Sequence, residues 1–170
     1  MPEKKKITRA GLEKLQAELD NRVAVVRNEI AQEIEFARSY GDLSENAEYT
    51  EARKKQAENE SKIAELEALL KVVVVVEDDE INNDQVSVGT TVTLKTMSKT
   101  NEDFMATKGE IVRYAIVGAQ EADPMHDRIS DESEVGKALI GASVGDTVSI
   151  PLDGYTLIYS VKEIEKGNQV

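Results

Sequence analysis

The chain has 170 residues, room for one ordinary domain or two small ones, and an aromatic content of 4% with no Trp argues against one large core. It has no Cys, which removes disulfides and thiolate metal sites and agrees with a reducing cytoplasm. The net charge of −12 is uneven: residues 1–76 carry 13 Lys/Arg against 15 Asp/Glu and residues 77–170 carry 8 against 18, which argues against a free-standing, high-affinity DNA binder.

The chain starts Met1-Pro2-Glu3-Lys4-Lys5-Lys6. No apolar run follows, so a secretory signal is not expected, and the lysines read as a disordered terminus. From about Thr8 to Tyr40, Leu12, Leu15, Leu19, Val23, Val26, Ile30, Ile34 and Ala37 recur at steps of three and four. That spacing predicts one amphipathic helix, with Thr8 as its N-cap and Gly41 ending it. From about Leu43 to Lys71 a second stripe runs through Tyr49, Ala52, Gln56, Asn59, Ile63, Leu66 and Leu70. This is a heptad seam, polar or small at one end and aliphatic at the other, so the tip should be held more weakly than the base. Two such segments joined by a few residues pair antiparallel, as a hairpin roughly 40 Å long.

The apolar run Val72–Val76 is too short to span a membrane and reads as a strand or a helix end. An acidic, aperiodic linker, 77–85, follows. Beyond it, Val86–Leu94 alternates like a strand and Glu110–Val117 is β-branched and aromatic. Thr147–Leu152, the Asp153-Gly154 pair and Tyr155–Ile164 predict a hairpin around a two-residue turn. Glu134–Leu139 reads as a short helix. The expected fold class is α+β, with an antiparallel helical hairpin over 1–76 and a small, mostly antiparallel sheet domain over 86–170.

Chemistry-bearing residues concentrate at the turn of the hairpin, Gly41-Asp42-Leu43-Ser44-Glu45-Asn46-Ala47-Glu48-Tyr49. The spacing of Asp42 and Glu45 serves two readings. One is a capping box that starts the second helix. The other is a pair of hard oxygen ligands, too few to hold Mg²⁺ alone but able to complete a site that another protein supplies. Arg38 and Arg53 fall at similar heights behind the turn; they either form a cationic patch for a phosphate backbone or pair with neighbouring acids such as Glu35 and Glu48. His126 reads as a solvated loop residue, and with no second His a zinc site is not expected. No glycine-rich nucleotide loop or nucleophile elbow is present, so the chain shows no self-contained catalytic constellation.

These residues resemble the bacterial Gre transcript-cleavage factors. The resemblance starts at Ile7-Thr8-Arg9-Ala10-Gly11-Leu12 and runs through Ala37-Arg38. It is sharpest over Gly41–Tyr49 with Ala52-Arg53, and resumes at Val88–Val92, Gly136–Gly141 and Val144-Gly145-Asp146. It implies an N-terminal coiled coil and an FKBP-like C-terminal domain. It further implies a cytoplasmic accessory factor, not itself an enzyme, whose coiled coil enters the secondary channel of RNA polymerase. Asp42 and Glu45 would then help hold an Mg²⁺ ion and a water in the polymerase's own active site, so that the backtracked RNA 3′ end is cut. Arg38 and Arg53 match the family's RNA-contacting patch, and the near-neutral first half matches the less basic members. Polymerase-docking residues are not identified. Two departures lie in the second domain: Ser133-Glu134 stands where the family often has Ser-Pro, and segment 96–109 looks long and polar. Other readings are a coiled-coil adaptor whose acidic tip is only a helix cap, and a channel-binding regulator that does not promote cleavage.

Overall fold

The computed structural model describes residues 4–99 and 109–167. The chain divides into two compact units, one made by Leu12–Val73 and the other by the residues up to Gly11 together with those from Val74 onward.

The first unit is a helical hairpin. Its leading arm is α1 (Arg9–Asn21), a single π turn (Arg22–Val26) and α2 (Arg27–Arg38); its returning arm is α3 (Ala47–Leu70). Of the stripe on the returning arm, Ala52, Asn59, Ile63 and Leu66 are buried, as the heptad spacing requires. The leading arm departs from its pattern at one point. In the π turn the Arg27 N–H bonds the Arg22 carbonyl, five residues back, which inserts one extra residue into the helix. Val23 is thereby 39% exposed, whereas Arg22 is half-buried.

The turn meets a buried amide on the opposite arm. Asn59 is 4% exposed; its Nδ2 donates to the Arg22 carbonyl at 3.3 Å and its Oδ1 accepts from Arg22 Nη1 at 3.3 Å. A buried amide must find partners, and the widened turn offers it both a carbonyl and a cation. Arg27 forms a two-pronged bond to Glu60, with both contacts at 2.8 Å, and Lys55 reaches Glu33 at 2.8 Å. Ala37 and Ala52 are 2% and 3% exposed, small enough to let the helices approach closely.

The second unit holds two sheets. The smaller pairs β1 (Lys5–Thr8) with β2 (Val73–Val76). This corrects the expectation of a disordered lysine terminus: Ile7 is 1% exposed and draws Lys5 and Lys6 into a strand. Thr8 is the N-cap of α1, its Oγ1 accepting from Gly11 N at 3.1 Å, while the Glu121 carboxylate accepts from Thr8 N at 2.9 Å.

The larger sheet has the order β5-β4-β3-β7-β6. Its strands are β3 (Thr90–Lys99), β4 (Ile111–Val117), β5 (Arg128–Ser130), β6 (Thr147–Leu152) and β7 (Tyr155–Lys166). All neighbours are antiparallel except β4 and β5. The β6–β7 hairpin turns at Asp153-Gly154, with Leu152 opposite Tyr155, and Gly154 takes φ +82°. Pro151 sits in β6 at the sheet edge, where a missing N–H is tolerated. The strand expected from Val86 begins only at Thr90. Val86 and Val88 are buried in the core, but Val86 exchanges hydrogen bonds with Ala142 and Gly141 rather than with a strand.

The short helix α4 (Glu134–Leu139) lies against β6. Ser133 caps it, accepting from Gly136 N at 3.0 Å and donating to the Ser130 carbonyl at 2.7 Å, so the helix starts without the proline. Gly136 is where α4 touches the end of β5: a Cβ there would meet the Ser130 carbonyl oxygen at 1.9 Å. Val92, Leu94, Ile116, Leu139, Ile150 and Val161 form the centre of the core. Of the polar segment 96–109, residues 100–108 lie outside the described residues. No helix among the described residues is long and apolar enough to cross a membrane.

Candidate functional site: the turn of the helical hairpin

The turn is built by backbone chemistry at both helix ends. After α2, Gly41 swings to φ +72°, and its N–H bonds the Arg38 carbonyl at 3.1 Å. Asp42 follows at φ +25°, a left-handed conformation that costs an L-residue roughly 1 kcal/mol and that Asp tolerates better than most. Ser44 Oγ donates to Asp42 Oδ1 at 2.8 Å, giving the carboxylate one fixed partner.

The returning helix is capped by Asn46, not by Asp42. Asn46 is extended, and its Oδ1 accepts from Tyr49 N at 3.0 Å. Its Nδ2 donates to the Ala37 carbonyl at 2.7 Å, so one amide starts the second helix and ties it to the end of the first. The capping-box reading of Asp42 and Glu45 is therefore set aside. An N-cap needs the β-region backbone, which Asp42 lacks, and Glu45 stands before the cap instead of three residues inside the helix. Both carboxylates are exposed. Among the described residues, Glu45 has no hydrogen bond or ion pair.

The two arginines are not consumed by acids. Arg53 Nη1 donates to Gln56 Oε1 at 2.8 Å, a neutral partner. Arg38 is exposed, and its side chain has no ion pair or hydrogen bond among the described residues. Asn46 and Ser44 are the positioning residues that motif spacing missed. The signal was present, since Asn at the first non-helical position is a favoured cap.

His126 lies far along the chain from this turn and is mostly exposed, with Nδ1 2.7 Å from Asp123 Oδ2. That contact holds the Asp123 carboxyl below its ordinary value. Among the described residues, no group of three or more His, Cys, Asp or Glu is arranged to hold a metal ion.

Two family models cover nearly the whole chain: "Transcription elongation factor, N-terminal" over residues 5–75 and "Transcription elongation factor, GreA/GreB, C-term" over residues 81–166. The chain belongs to the GreA/GreB family of transcription elongation factors. A GreA factor from Caldanaerobacter subterraneus subsp. tengcongensis is 44% identical over 160 residues, covering 94% of this chain and 96% of the relative. Another GreA, from Clostridium perfringens, is 46% identical over 167 residues, covering 98% of this chain and all of the relative. Among solved structures, the transcription factor Gfh1 is 26% identical and covers 96% of this chain and 99% of its own, at a TM-score of 0.44. A GreA/GreB factor from Nitrosomonas europaea is 22% identical and covers 95% and 99%, at a TM-score of 0.40. As a GreA/GreB chain, this one carries both family parts in the same order, and the turn described above lies inside the N-terminal part.

Proposed function

We propose that this chain acts in the cytoplasm as a cleavage-stimulating accessory factor of RNA polymerase, its hairpin entering the secondary channel. The observation that carries this reading is the turn itself. Asn46 and Ser44 do the structural work, which leaves the Asp42 and Glu45 carboxylates exposed on a fixed backbone. Hard carboxylate oxygens suit Mg²⁺ by type but fall short in number, since that ion takes six ligands. Asp42 and Glu45 would therefore hold it jointly with groups of the polymerase. The ion, when bound, activates water and neutralises developing charge in hydrolysis of a phosphodiester.

The chain's own contribution is positional. Asp42, steadied by Ser44, offers an oxygen in one orientation, and Glu45, free of partners, adjusts to accept from a water O–H. Arg38 and Arg53, not neutralised by acids, bind the phosphates of the extruded RNA 3′ end. The factor alone does not hydrolyse RNA. Asp42→Asn and Glu45→Gln in a halted, backtracked elongation complex form the test. Each should retain fold and polymerase affinity and lose stimulated RNA release by at least about 100-fold, the loss expected when one charge-stabilising group is removed. Wild-type rates in either variant would refute the assigned role; polymerase binding with no RNA release by the unaltered protein would mark a non-cleaving regulator.

A further inference from the structure

A feature beside the carboxylates is not explained by that role. Phe36 and Tyr40 are 63% and 64% exposed, with ring centroids 5.2 Å apart and planes at 86°. An edge-to-face aromatic pair left in water has surface to bury. Beside Phe36 an open groove of about 410 Å³ runs between the two arms, with Ala47 exposed along it and the buried Ala37 and Ala52 beneath. Its rim is acidic. Glu33 is already paired with Lys55 at 2.8 Å, but Glu48 and Glu51 are exposed and have no ion pair among the described residues.

Charge decides between the occupants. The groove is lined by three carboxylates, Glu33, Glu48 and Glu51, against one cation, Lys55, which Glu33 already holds. Arg38 is two residues from both Phe36 and Tyr40, and Arg53 is two from both Glu51 and Lys55. A helix turns about 200° in two residues, so each arginine faces away from the groove. A nucleic-acid phosphate would be repelled here, and base stacking on the aromatics would bring that phosphate with it. A lysine or arginine instead lays its apolar stem along Ala47, places its charge over an aromatic ring and meets the two free carboxylates.

We propose that this groove docks a Lys- or Arg-bearing protein segment, and, resting on the function proposed above, that the segment belongs to the wall of the polymerase channel. The hairpin tip then has two working faces, one for RNA phosphates and one that seats the tip against protein.

The test uses the full chain and core RNA polymerase. Phe36→Ala with Tyr40→Ala should raise the Kd roughly tenfold, and Glu48→Gln with Glu51→Gln roughly threefold at low salt with a smaller effect at high salt. RNA release at saturating factor should stay near wild type, because Asp42 and Glu45 are untouched. With p-benzoylphenylalanine in place of Phe36, the photo-crosslinked peptide should come from polymerase and contain Lys or Arg. Wild-type Kd in both double variants, or a crosslink to RNA or to an acidic peptide, overturns the groove assignment while leaving the cleavage role standing. Failure of the unaltered protein to bind polymerase removes both.

Discussion

Asn46 is the residue on which the geometry of the turn depends most. Its amide both caps α3 and bonds the last turn of α2, so replacing it removes two bonds at once. Asn46→Ala should cost about 1–2 kcal/mol in urea denaturation, the upper part of the range for a cap. It should also lower stimulated RNA release more than polymerase affinity, because the carboxylates lose their fixed backbone. Ser44→Ala is the milder case. It removes the Ser44 hydrogen bond to Asp42, and release should fall several-fold with melting temperature unchanged. Equal loss in binding and release for either variant would mean that these side chains support docking rather than carboxylate placement.

At the scale of the helices, the π turn and Asn59 form one device. Asn59→Ala removes two bonds to the half-buried Arg22, which keeps Glu18 at 2.9 Å, and should cost about 1 kcal/mol, read as a lower urea midpoint. Hydrogen exchange at Arg22–Val26 should quicken in the same variant. Nearby, Arg27 holds the Glu60 carboxyl below its ordinary value by direct hydrogen bonding. A carboxyl with a lowered folded pKa contributes stability above its unfolded value and loses it as pH falls through the folded one. The hairpin should therefore melt earlier in acid, below the usual carboxylate range. Glu60→Gln should be slightly less stable at neutral pH and show a flatter acid response. An unchanged pH profile would show that this exposed pair contributes nothing.

For the molecule as a whole, charge sets the manner of association. A net charge of −12 opposes binding to free nucleic acid, so the isolated protein should not retain single-stranded RNA on a filter even at low salt. Retention would imply that Arg38 and Arg53 act without polymerase. Within the sheet unit, Gly136→Ala should cost about 2–3 kcal/mol, because the new methyl meets a backbone carbonyl that cannot move aside.

How much was legible follows from which forces are local. The two helical arms, the seam through Ala52, Ile63 and Leu66, the Thr8 cap and the β6–β7 hairpin were readable because each is written in periodicity or turn chemistry within a few residues. The acidic turn was readable as a motif. What only the tertiary structure decided involves partners distant in sequence. Lys5 and Lys6 fall in a strand because Val73–Val76 pairs with it. At the π turn the Arg22 carbonyl meets Asn59, 37 residues away, which no local spacing foretells. Asn46 caps α3 locally through Tyr49 N, and only its second bond, to the Ala37 carbonyl, needed the turn to close. Local pattern determined which elements form, which carboxylates lie at the turn and, through the Asn46 cap, that neither is needed to start α3; only the tertiary structure decided the strand at Lys5–Thr8 and the meeting of Asn59 with the π turn, because those bonds join groups that no local spacing brings together.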